Sequence, residues 1–363
     1  MFGFGKNSFL GIDIGTYSIK VLELKVKGGR PTIENYAWIS LDDVKGGGQF
    51  TFNDSWPVYL KRMINRGDIE GKNAYVSIPA AGALITMIEF PNISRDDLDQ
   101  AIKFEAHKYI PTSLDDVVLS WDVISIKNTN SLVKKFSTGN DLMKKNDVEE
   151  KIQVILVAAP KDKVEKYQDI IIKSDLNLKS VEIDSFSLVR SLVGNDQGNF
   201  IIADIGSKIC NIILVEKGVV KVNRNIDAGG RDVTNAIARN IGLEEDRALE
   251  IKKSDRDLLG GTSPVVVPAF DVITQEIKRI LNEYYKDEKG TVIDSIILSG
   301  GTAKLNGITD FFRNALNIKT VVGNPFSRIV YDEKLKPIMS KIETQFAVAA
   351  GLALKGVEEY IRK

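Results

Sequence analysis

The sequence predicts an α/β protein that contains two copies of one lobe and a smaller inserted α+β subdomain. The chain has 363 residues, which is more than one domain of the usual ~100–200 residues holds. Residues 9–15 and 200–206 carry the same pattern at an offset of 191, and a later apolar strand ends in a Gly-Gly turn. Length, duplication and turn together favour two related lobes over one large core.

The composition excludes several kinds of site. The chain has one histidine, one cysteine, and 49 basic residues against 49 acidic ones. An internal disulfide is therefore impossible, and Cys/His zinc sites or histidine-dependent nucleophiles have almost no candidates. A net charge of zero gives no reason to expect nucleic acid as the main partner. Any catalysis or ligand binding must therefore use carboxylates, lysines, hydroxyls and backbone amides.

We expect a cytoplasmic protein without a membrane span. The longest apolar stretches, such as 152–160 and 346–354, are shorter than the ~18–20 residues that a spanning helix needs. Residues 1–6 lack the apolar core and cleavage site of a secretory signal. A single cysteine fits a reducing compartment.

The duplicated segments predict two β-hairpins. Residues 9–15 are Phe-Leu-Gly-Ile-Asp-Ile-Gly, and residues 200–206 are Phe-Ile-Ile-Ala-Asp-Ile-Gly. The same offset aligns Thr16 with Ser207, and an apolar run rich in β-branched residues follows each turn. Strand, tight turn and strand are therefore expected twice.

Each hairpin turn suits a phosphate. Glycine and a small hydroxyl residue let backbone N–H groups approach an anion closely. An aspartate at the strand end, Asp13 or Asp204, can hold a divalent cation through water, since Mg²⁺ keeps much of its hydration. One copy alone fits an ordinary hairpin equally well, so the prediction depends on the duplication.

Two further segments belong to the same predicted site. The apolar strand at 292–298 leads into Gly300 and Gly301, which would let a flat ring lie against backbone; a plain strand-to-helix connection is the alternative. Residues 227–232 begin a predicted helix, and Glu250 and Lys253 follow three apart on one helical face. That pair could contact a ribose and base, or form a solvated ion pair worth little.

The segment between the hairpins predicts the inserted subdomain. Ser94 caps a helix that ends before Pro111, and residues 127–151 predict a flexible polar loop. The other predicted elements are strands at 117–126, 152–159 and 178–183 and a helix at 164–174. His107 has no second histidine or cysteine to act with, so we interpret it as a surface residue, and Cys210 as a small core residue.

Hairpin, hairpin and Gly-Gly turn, in this order, resemble the superfamily of actin, sugar kinases and heat-shock chaperone ATPases. Residues 13–20 and 204–211 resemble its two phosphate loops, and 299–307 resemble its adenosine motif. Residues 184–192 and 347–354 resemble its two connecting helices. The resemblance covers nearly the whole chain and implies an actin-like (ribonuclease H-like) two-lobe ATPase fold.

This resemblance also implies residue roles. Asp13 and Asp204 would organise Mg²⁺ through water, and Asp184 would position a water or the metal, although a helix N-cap explains Asp184 equally well. These three are the candidate catalytic residues. An exposed strand position is the alternative for Lys20. The candidate ATP-binding residues are Gly15, Thr16, Tyr17, Lys20, Gly206, Ser207, Gly229, Gly230, Glu250, Lys253, Gly300, Gly301 and Lys304.

The inserted subdomain resembles the FtsA-type branch, whose extra subdomain is an SHS2 domain. Within that branch, residues 103–111, 157–161 and 181–184 resemble the PilM family of type IV pilus assembly proteins. The resemblance implies ATP with Mg²⁺, at most slow ATPase activity, and binding of the N-terminal cytoplasmic tail of PilN near the inserted subdomain. It also implies PilO as a further partner, reached through PilN, and motor ATPases as possible partners. The protein would lie at the cytoplasmic membrane as a peripheral protein, without insertion.

Two alternatives remain at the level of sequence. One is an FtsA-like cell-division filament protein, although residues 356–363 are too short and polar for its membrane helix. The other is a sugar or acetate kinase of the same fold, with Asp204 as base. The domain boundaries that we predict are 1–82, 183–198 and 346–363 for lobe 1, 83–182 for the inserted subdomain, and 199–345 for lobe 2.

Overall fold

A computed structural model describes residues 7–40, 55–128, 150–260, 264–287 and 291–362. The chain divides into two compact units. The larger unit comprises Met1–Ala81 and Glu165–Lys363, and the smaller comprises Gly82–Val164. The larger unit holds both predicted lobes, and the smaller corresponds to the inserted subdomain.

The first lobe is built on a five-stranded sheet. Its strands are β1 (Ser8–Ile14), β2 (Ser18–Lys27), β3 (Arg30–Ser40), β4 (Asn73–Ile78) and β8 (Asn177–Ile183). Their order is β3-β2-β1-β4-β8. The first three are antiparallel neighbours, whereas β4 and β8 run parallel to β1. The turn between β1 and β2 is the first predicted hairpin.

The second lobe repeats this sheet. Its strands are β9 (Asn199–Ile205), β10 (Cys210–Glu216), β11 (Val219–Ile226), β12 (Ser295–Ser299) and β13 (Thr320–Val322). They lie in the order β11-β10-β9-β12-β13, with the same directions as in the first sheet. Asp13 faces Lys20 in the first hairpin, and Asp204 faces Asn211 in the second. The duplication is therefore confirmed residue by residue.

The helices of the larger unit pack on these sheets. They are α1 (Trp56–Arg66), α4 (Asp184–Leu192), α5 (Gly230–Ile241), α6 (Glu245–Lys252), α7 (Pro268–Asp287), α8 (Ile308–Leu316), α9 (Lys336–Ile342) and α10 (Ala347–Ile361). In the second lobe α7 buries Phe270, Ile273 and Ile277 completely against the sheet. The resulting apolar core holds the second hairpin in place.

The predicted connecting helices are α4 and the first half of α10. The two helices cross so closely that a Cβ on Gly351 would overlap the carbonyl oxygen of Ser187. A Cβ on Gly11 would likewise overlap the carbonyl oxygen of Ala349, so β1 also touches α10. Glycine permits both close approaches because it has no side chain.

The smaller unit is an antiparallel sheet with one helix on a face. Its strands β5 (Leu84–Pro91), β6 (Val117–Asn128) and β7 (Glu150–Pro160) lie in the order β5-β7-β6. Helix α2 (Arg95–Ala106) buries Leu98 and Ile102 against Val154 and Leu156 of the central strand. Ser94 caps this helix by accepting a hydrogen bond from the Asp97 amide at 3.2 Å.

The boundary of the inserted subdomain differs from the prediction of 83–182. Strand β8, predicted within the subdomain, pairs in parallel with β4 of the first lobe. Helix α3 (Lys161–Lys173) begins in the smaller unit and ends in the larger one, because the division falls between Val164 and Glu165. A strand's partner is not local in sequence, so no local pattern could assign β8 to its sheet.

Several smaller predictions can be compared directly. The ends of the predicted loop 127–151 belong to strands, because β6 continues to Asn128 and β7 begins at Glu150; residues 129–149 and 1–6 lie outside the described residues. His107 is exposed at the end of α2, and Cys210 is fully buried, both as predicted. In the part of the chain that the structure describes, no helix is both long and apolar enough to cross a bilayer.

Candidate functional site

Three aspartates from different elements form the acidic part of the site. Asp13 and Asp204 stand near the ends of β1 and β9, at corresponding positions in the two lobes. Asp184 is the first residue of α4. The Lys20 ammonium lies 2.9 Å from the Asp13 carboxylate, and both side chains are largely buried. The site therefore brings together all three predicted catalytic residues and one cation.

Burial and mutual repulsion favour the protonated form of Asp184. Burial, followed by the charges of Asp204 and Asp13, raises its pKa to about 8. Hydrogen bonds from the Ala80 amide at 3.2 Å and the Ser185 hydroxyl at 3.3 Å act in the opposite direction. At neutral pH the carboxyl of Asp184 is thus mostly uncharged in the unliganded protein.

Asp204 is shifted in the same direction by a smaller amount. Its pKa is raised to about 6, and burial is the largest cause. The charge of Asp13 also raises this pKa, whereas a hydrogen bond from Ser299 and the charge of Lys20 lower it. Ser299 is the register neighbour of Asp204 where β12 pairs with β9. The strand that precedes the Gly-Gly turn therefore contributes directly to the acidic site.

The two hairpin turns close with the same backbone hydrogen bond. The Gly15 amide donates to the Ser18 carbonyl at 3.0 Å, and the Gly206 amide donates to the Ile209 carbonyl at 3.0 Å. A Cβ on Gly206 would lie 2.9 Å from that carbonyl oxygen. Tight packing within the turn thus explains the glycine of the second hairpin.

The side chains of the turns differ in exposure. Thr16 is exposed, whereas Tyr17 and Ser207 are partly buried. Among the described residues, no three acidic, histidine or cysteine side chains are grouped as a metal site.

The first turn of α5 is bonded to the second hairpin. The Gly230 and Arg231 amides donate to the carbonyls of Gly206 and Ser207, both at 2.8 Å. A Cβ on Gly229 would lie 2.6 Å from the Ser207 carbonyl oxygen, so glycine is required there by space. These bonds satisfy two carbonyl oxygens of the turn that would otherwise repel an anion.

Four segments meet around Gly230. A Cβ on Gly230 would lie 2.5 Å from Thr302 Oγ1, 2.8 Å from Lys252 Nζ and 3.3 Å from the Gly206 carbonyl oxygen. The second hairpin, the start of α5, the end of α6 and the Gly-Gly turn therefore converge at one point. The sequence predicted residues from all four segments as parts of one site.

Lys252 lies beside Gly230. The residue predicted from sequence for this role was its neighbour, Lys253. The Lys252 ammonium donates to the Gly230 carbonyl at 2.6 Å, and burial, then the charge of Lys253, lowers its pKa to about 8, while Asp232 opposes the shift. Lys253 is exposed, and Glu250 is exposed and paired with Arg247 at 2.6 Å. The structure thus supports the solvated alternative for Glu250.

The packing of α6 explains the position of Lys252. Ala248 is fully buried, and Lys252 lies four positions later. Residues four apart share a helix face, so Lys252 follows Ala248 toward the core side of α6.

The Gly-Gly turn lies directly against the end of β9. Gly300 has a φ of +85°, and a Cβ there would overlap the Ile205 carbonyl oxygen. Gly301 is exposed and has room around it. The predicted nucleotide contact Lys304 is paired with Glu343 at 2.8 Å. Gly300 is therefore fixed by packing, and Gly301 presents open backbone.

Asn211 also lies at the site, although it was not among the site residues predicted from sequence. Its amide nitrogen lies 3.3 Å from Asp184 Oδ1 and 3.1 Å from Ser185 Oγ. The side-chain carbonyl oxygen of Asn211 is buried and has no hydrogen-bond partner in the described residues. A buried acceptor of this kind has an unmet requirement for a donor or a cation beside the acidic site.

The family model described as "Type IV pilus assembly protein PilM" matches residues 11–138 and 139–357. The chain belongs to the PilM family. The matched residues include both hairpins, the inserted unit and most of α10, so the resemblance seen in the sequence is confirmed across the chain.

Solved structures confirm the actin-like two-lobe α/β fold of this family member. A chain from the "PilM-PilN type IV pilus biogenesis complex" is similar with a TM-score of 0.75 and 22% identity, over 96% of this chain and 98% of that one. MreB5 of Spiroplasma citri bound to ADP is similar with a TM-score of 0.53 and 11% identity, over 99% of each chain. EutJ from Carboxydothermus hydrogenoformans has a TM-score of 0.52 and 16% identity, over 97% and 90%.

The curated relatives include another member of the predicted branch. Cell division protein FtsA of Helicobacter pylori (strain J99 / ATCC 700824) is 21% identical over 204 residues, which are 48% of this chain and 41% of FtsA. The chain thus spans about two fifths of the length of the curated relatives that it matches.

Proposed function

We propose that this PilM-family protein is an actin-like ATP-binding scaffold of the type IV pilus assembly complex at the inner membrane. Its partner in this proposal is the N-terminal cytoplasmic tail of PilN. The convergence of hairpin, α5, α6 and Gly-Gly turn at Gly230, beside the aspartates of both lobes, carries the nucleotide part. Membership of the PilM family supports the proposed role in pilus assembly.

The two turns would hold the phosphates of ATP. Anion binding by backbone requires free N–H groups and few exposed carbonyl oxygens. In the second turn the carbonyls of Gly206 and Ser207 accept bonds from α5, which reduces their repulsion of an anion. Structures of MreB5 of Spiroplasma citri bound to ADP and to AMPPNP share this fold, which supports a nucleotide here.

The donor set fits a hydrated Mg²⁺. The ion prefers oxygen ligands and keeps several waters, so Asp13 and Asp204 would hold it through water. It would supply charge neutralisation for the β- and γ-phosphates. Lys20 would add a fixed positive charge on the side of the first turn.

Binding without fast turnover is the expected behaviour. A general base must be ionised, and without a bound cation burial raises the pKa of Asp184 to about 8, which disfavours the ionised form. The chain offers one histidine, His107, which is exposed on the inserted unit. ATP would thus act mainly as a switch ligand that biases closure of the two lobes, with hydrolysis slow or incidental.

PilN binding would bring the protein to the membrane. The PilM-PilN structure matches 96% of this chain, a range that includes the inserted unit. We infer that the PilN tail binds in a groove that involves this unit. The protein would then be cytoplasmic and peripheral, with PilO reached through PilN and motor ATPases as further partners.

Isothermal titration with Mg-ATP tests the nucleotide site. Wild-type protein should bind, and Asp13→Ala and Asp204→Ala should each weaken binding about tenfold or more, because each removes a charged contact to the hydrated ion. Asp310→Ala, which removes an exposed aspartate paired with Arg313 on α8, is the matched control. Unchanged affinity in both site variants would remove the proposed site.

A second titration tests the partner. A synthetic PilN-tail peptide should bind the wild-type protein, and a scrambled peptide of the same composition should not. The titration is run with and without Mg-ATP, since the switch predicts different affinities. Absence of peptide binding in both conditions would contradict the PilN assignment.

The match to FtsA favours a second candidate, a membrane-associated filament protein. Light scattering with Mg-ATP and lipid vesicles distinguishes the two, since a filament protein should show a concentration-dependent rise. A sugar or acetate kinase, the third candidate, would show phosphoryl transfer in a substrate panel.

A further inference from the structure

Helix α3 is shared by both compact units. It starts with Lys161 in the smaller unit and continues past Val164 into the larger one. Its buried positions are Val164, Tyr167 and Ile171, spaced by three and four residues, with Ile170 beside them. These residues lie on one helix face. Tyr167 is thus the first buried residue of α3 after the boundary.

Tyr167 contacts the first hairpin at its turn. Its hydroxyl donates to the Ile14 carbonyl at 3.4 Å in a buried position. Ile14 stands between Asp13 and Gly15, so the bond is made at the point where β1 enters the turn.

The phenol remains a donor throughout the neutral range. Burial, and then the charges of Asp13 and Asp184, raise the pKa of Tyr167 well above its ordinary value. The same charges show that the hydroxyl lies within electrostatic reach of two of the three aspartates.

The far end of α3 is anchored to the first lobe. Ser174, just after the helix, donates to the Ile170 carbonyl at 2.6 Å, and its hydroxyl lies 3.5 Å from the Pro57 carbonyl on α1. Asp175 is paired with Lys61 of α1 at 2.7 Å. These contacts fix the end of α3 to α1.

We propose that Tyr167 is a positioning residue that links the first phosphate turn to the inserted unit through α3. When a ligand tightens the turn, the Ile14 carbonyl moves, the Tyr167 hydroxyl follows it, and α3 carries the change into the unit in which it begins. This inference rests on the proposed nucleotide function for its ligand. It adds a residue and a route that neither hairpin motif contains.

Hydrogen–deuterium exchange of the full chain, with and without Mg-ATP, tests the link. Tyr167→Phe removes the hydroxyl and keeps the buried ring. Tyr75→Phe is the matched control, since Tyr75 is 4% exposed and its hydroxyl bonds Glu359 on α10 at 3.1 Å, away from the turn. Without nucleotide, peptides that cover residues 14–18 should exchange about 2- to 10-fold faster in Y167F than in wild type and Y75F, the range that one hydrogen bond sets.

With Mg-ATP, wild type and Y75F should show altered exchange in the inserted unit, and Y167F should lose that response while still binding Mg-ATP. Turn exchange in Y167F equal to wild type would overturn the positioning role, whether or not nucleotide binds. A full response of the inserted unit in Y167F would overturn the route. Failure of wild type to bind Mg-ATP would instead refute the proposed function, and the nucleotide-free comparison would still decide the positioning role.

Discussion

Single side chains distinguish two hairpins whose backbones are alike. Lys20 faces Asp13 and neutralises it. At the equivalent position of the second hairpin, Asn211 faces Asp204 and directs its amide nitrogen to Asp184 instead. An amide can orient a carboxyl group but cannot balance its charge. Of the two hairpins, only the first contributes a positive charge at this paired position. Burial, together with the charge of Asp13, therefore raises the pKa values of Asp184 and Asp204.

Asp184→Asn should remove a pH-dependent loss of stability. Because the folded-state pKa of Asp184 is about 8 against an ordinary 3.8, the folded protein binds this proton more tightly than the unfolded chain. Wild type should lose stability as pH rises from about 4 to about 8. One pKa unit corresponds to about 1.4 kcal/mol, so D184N should exceed wild type by up to a few kcal/mol at pH 9 and match it near pH 4. Urea unfolding without nucleotide measures both, and parallel pH profiles would contradict the repulsion.

Lys252→Met and Lys253→Met form a matched pair for the nucleotide site. Lys252 bonds the Gly230 carbonyl, whereas Lys253 is exposed. We expect K252M to weaken Mg-ATP binding about tenfold, because a charge-assisted bond at the convergence point is lost. K253M should bind like wild type. Isothermal titration of both variants decides, and the reverse order would restore the assignment made from sequence.

The sequence could predict the hairpin residues but not the lysine, for a physical reason. Asp13, Gly15, Asp204 and Gly206 are set by local turn geometry, which the motif itself contains. The choice between two adjacent lysines depends on how α6 is rotated, and one residue changes the direction by about 100°. Packing of the neighbouring core sets that rotation.

At the scale of elements, local signals and long-range pairing behave differently. The sequence predicted a helix over 184–192, and α4 spans Asp184–Leu192. The strand before it was also expected, yet its sheet was misassigned, since β8 joins β4 across about a hundred intervening residues. Pairing over such a distance is decided by which sheet edge is open, which no local pattern records.

Gly351→Ala should destabilise the protein, against the usual effect of this substitution in a helix. Alanine is favoured over glycine within helices by about 1 kcal/mol. In α10, however, the added methyl group would overlap the Ser187 carbonyl oxygen on α4. The expected net cost is about 1–3 kcal/mol, the usual range for overpacking. Gly301→Ala, whose nearest neighbour would be 3.9 Å away, is the control in thermal unfolding. An increase in Tm for G351A would refute the close helix crossing.

At the scale of the whole molecule, a buried charge cluster joins the two connecting helices to the first sheet. Glu182 of β8 accepts from Arg190 of α4 at 2.6 and 3.1 Å, from Lys355 of α10 at 3.0 Å, and from Ser187 at 2.5 Å. Arg190 also donates to the Gly351 carbonyl at 3.0 Å. One carboxylate therefore connects β8 and the adjacent α4 to α10, which is distant from both in sequence. Although each charge was visible in the sequence, their meeting follows from the fold.

Glu182→Gln should cost far more stability than Glu250→Gln, although both remove one charge from an ion pair with arginine. The Glu182 side chain is 8% exposed, so its loss removes the buried carboxylate shared by Arg190 and Lys355 and leaves Arg190 with Glu358 at 3.6 Å, at a cost of about 3–5 kcal/mol. Glu250 is 67% exposed and its pair is worth about 0–1 kcal/mol.

Burial opposes ionisation of Glu182, but Arg190 and Lys355 lower its pKa. The wild-type advantage should therefore be complete at neutral pH and diminish as pH falls below about 4.5, where the unfolded chain takes up the proton first. Urea unfolding at pH 7 and pH 3 measures this, and equal losses in the two variants would show that the cluster does not hold the connecting helices together.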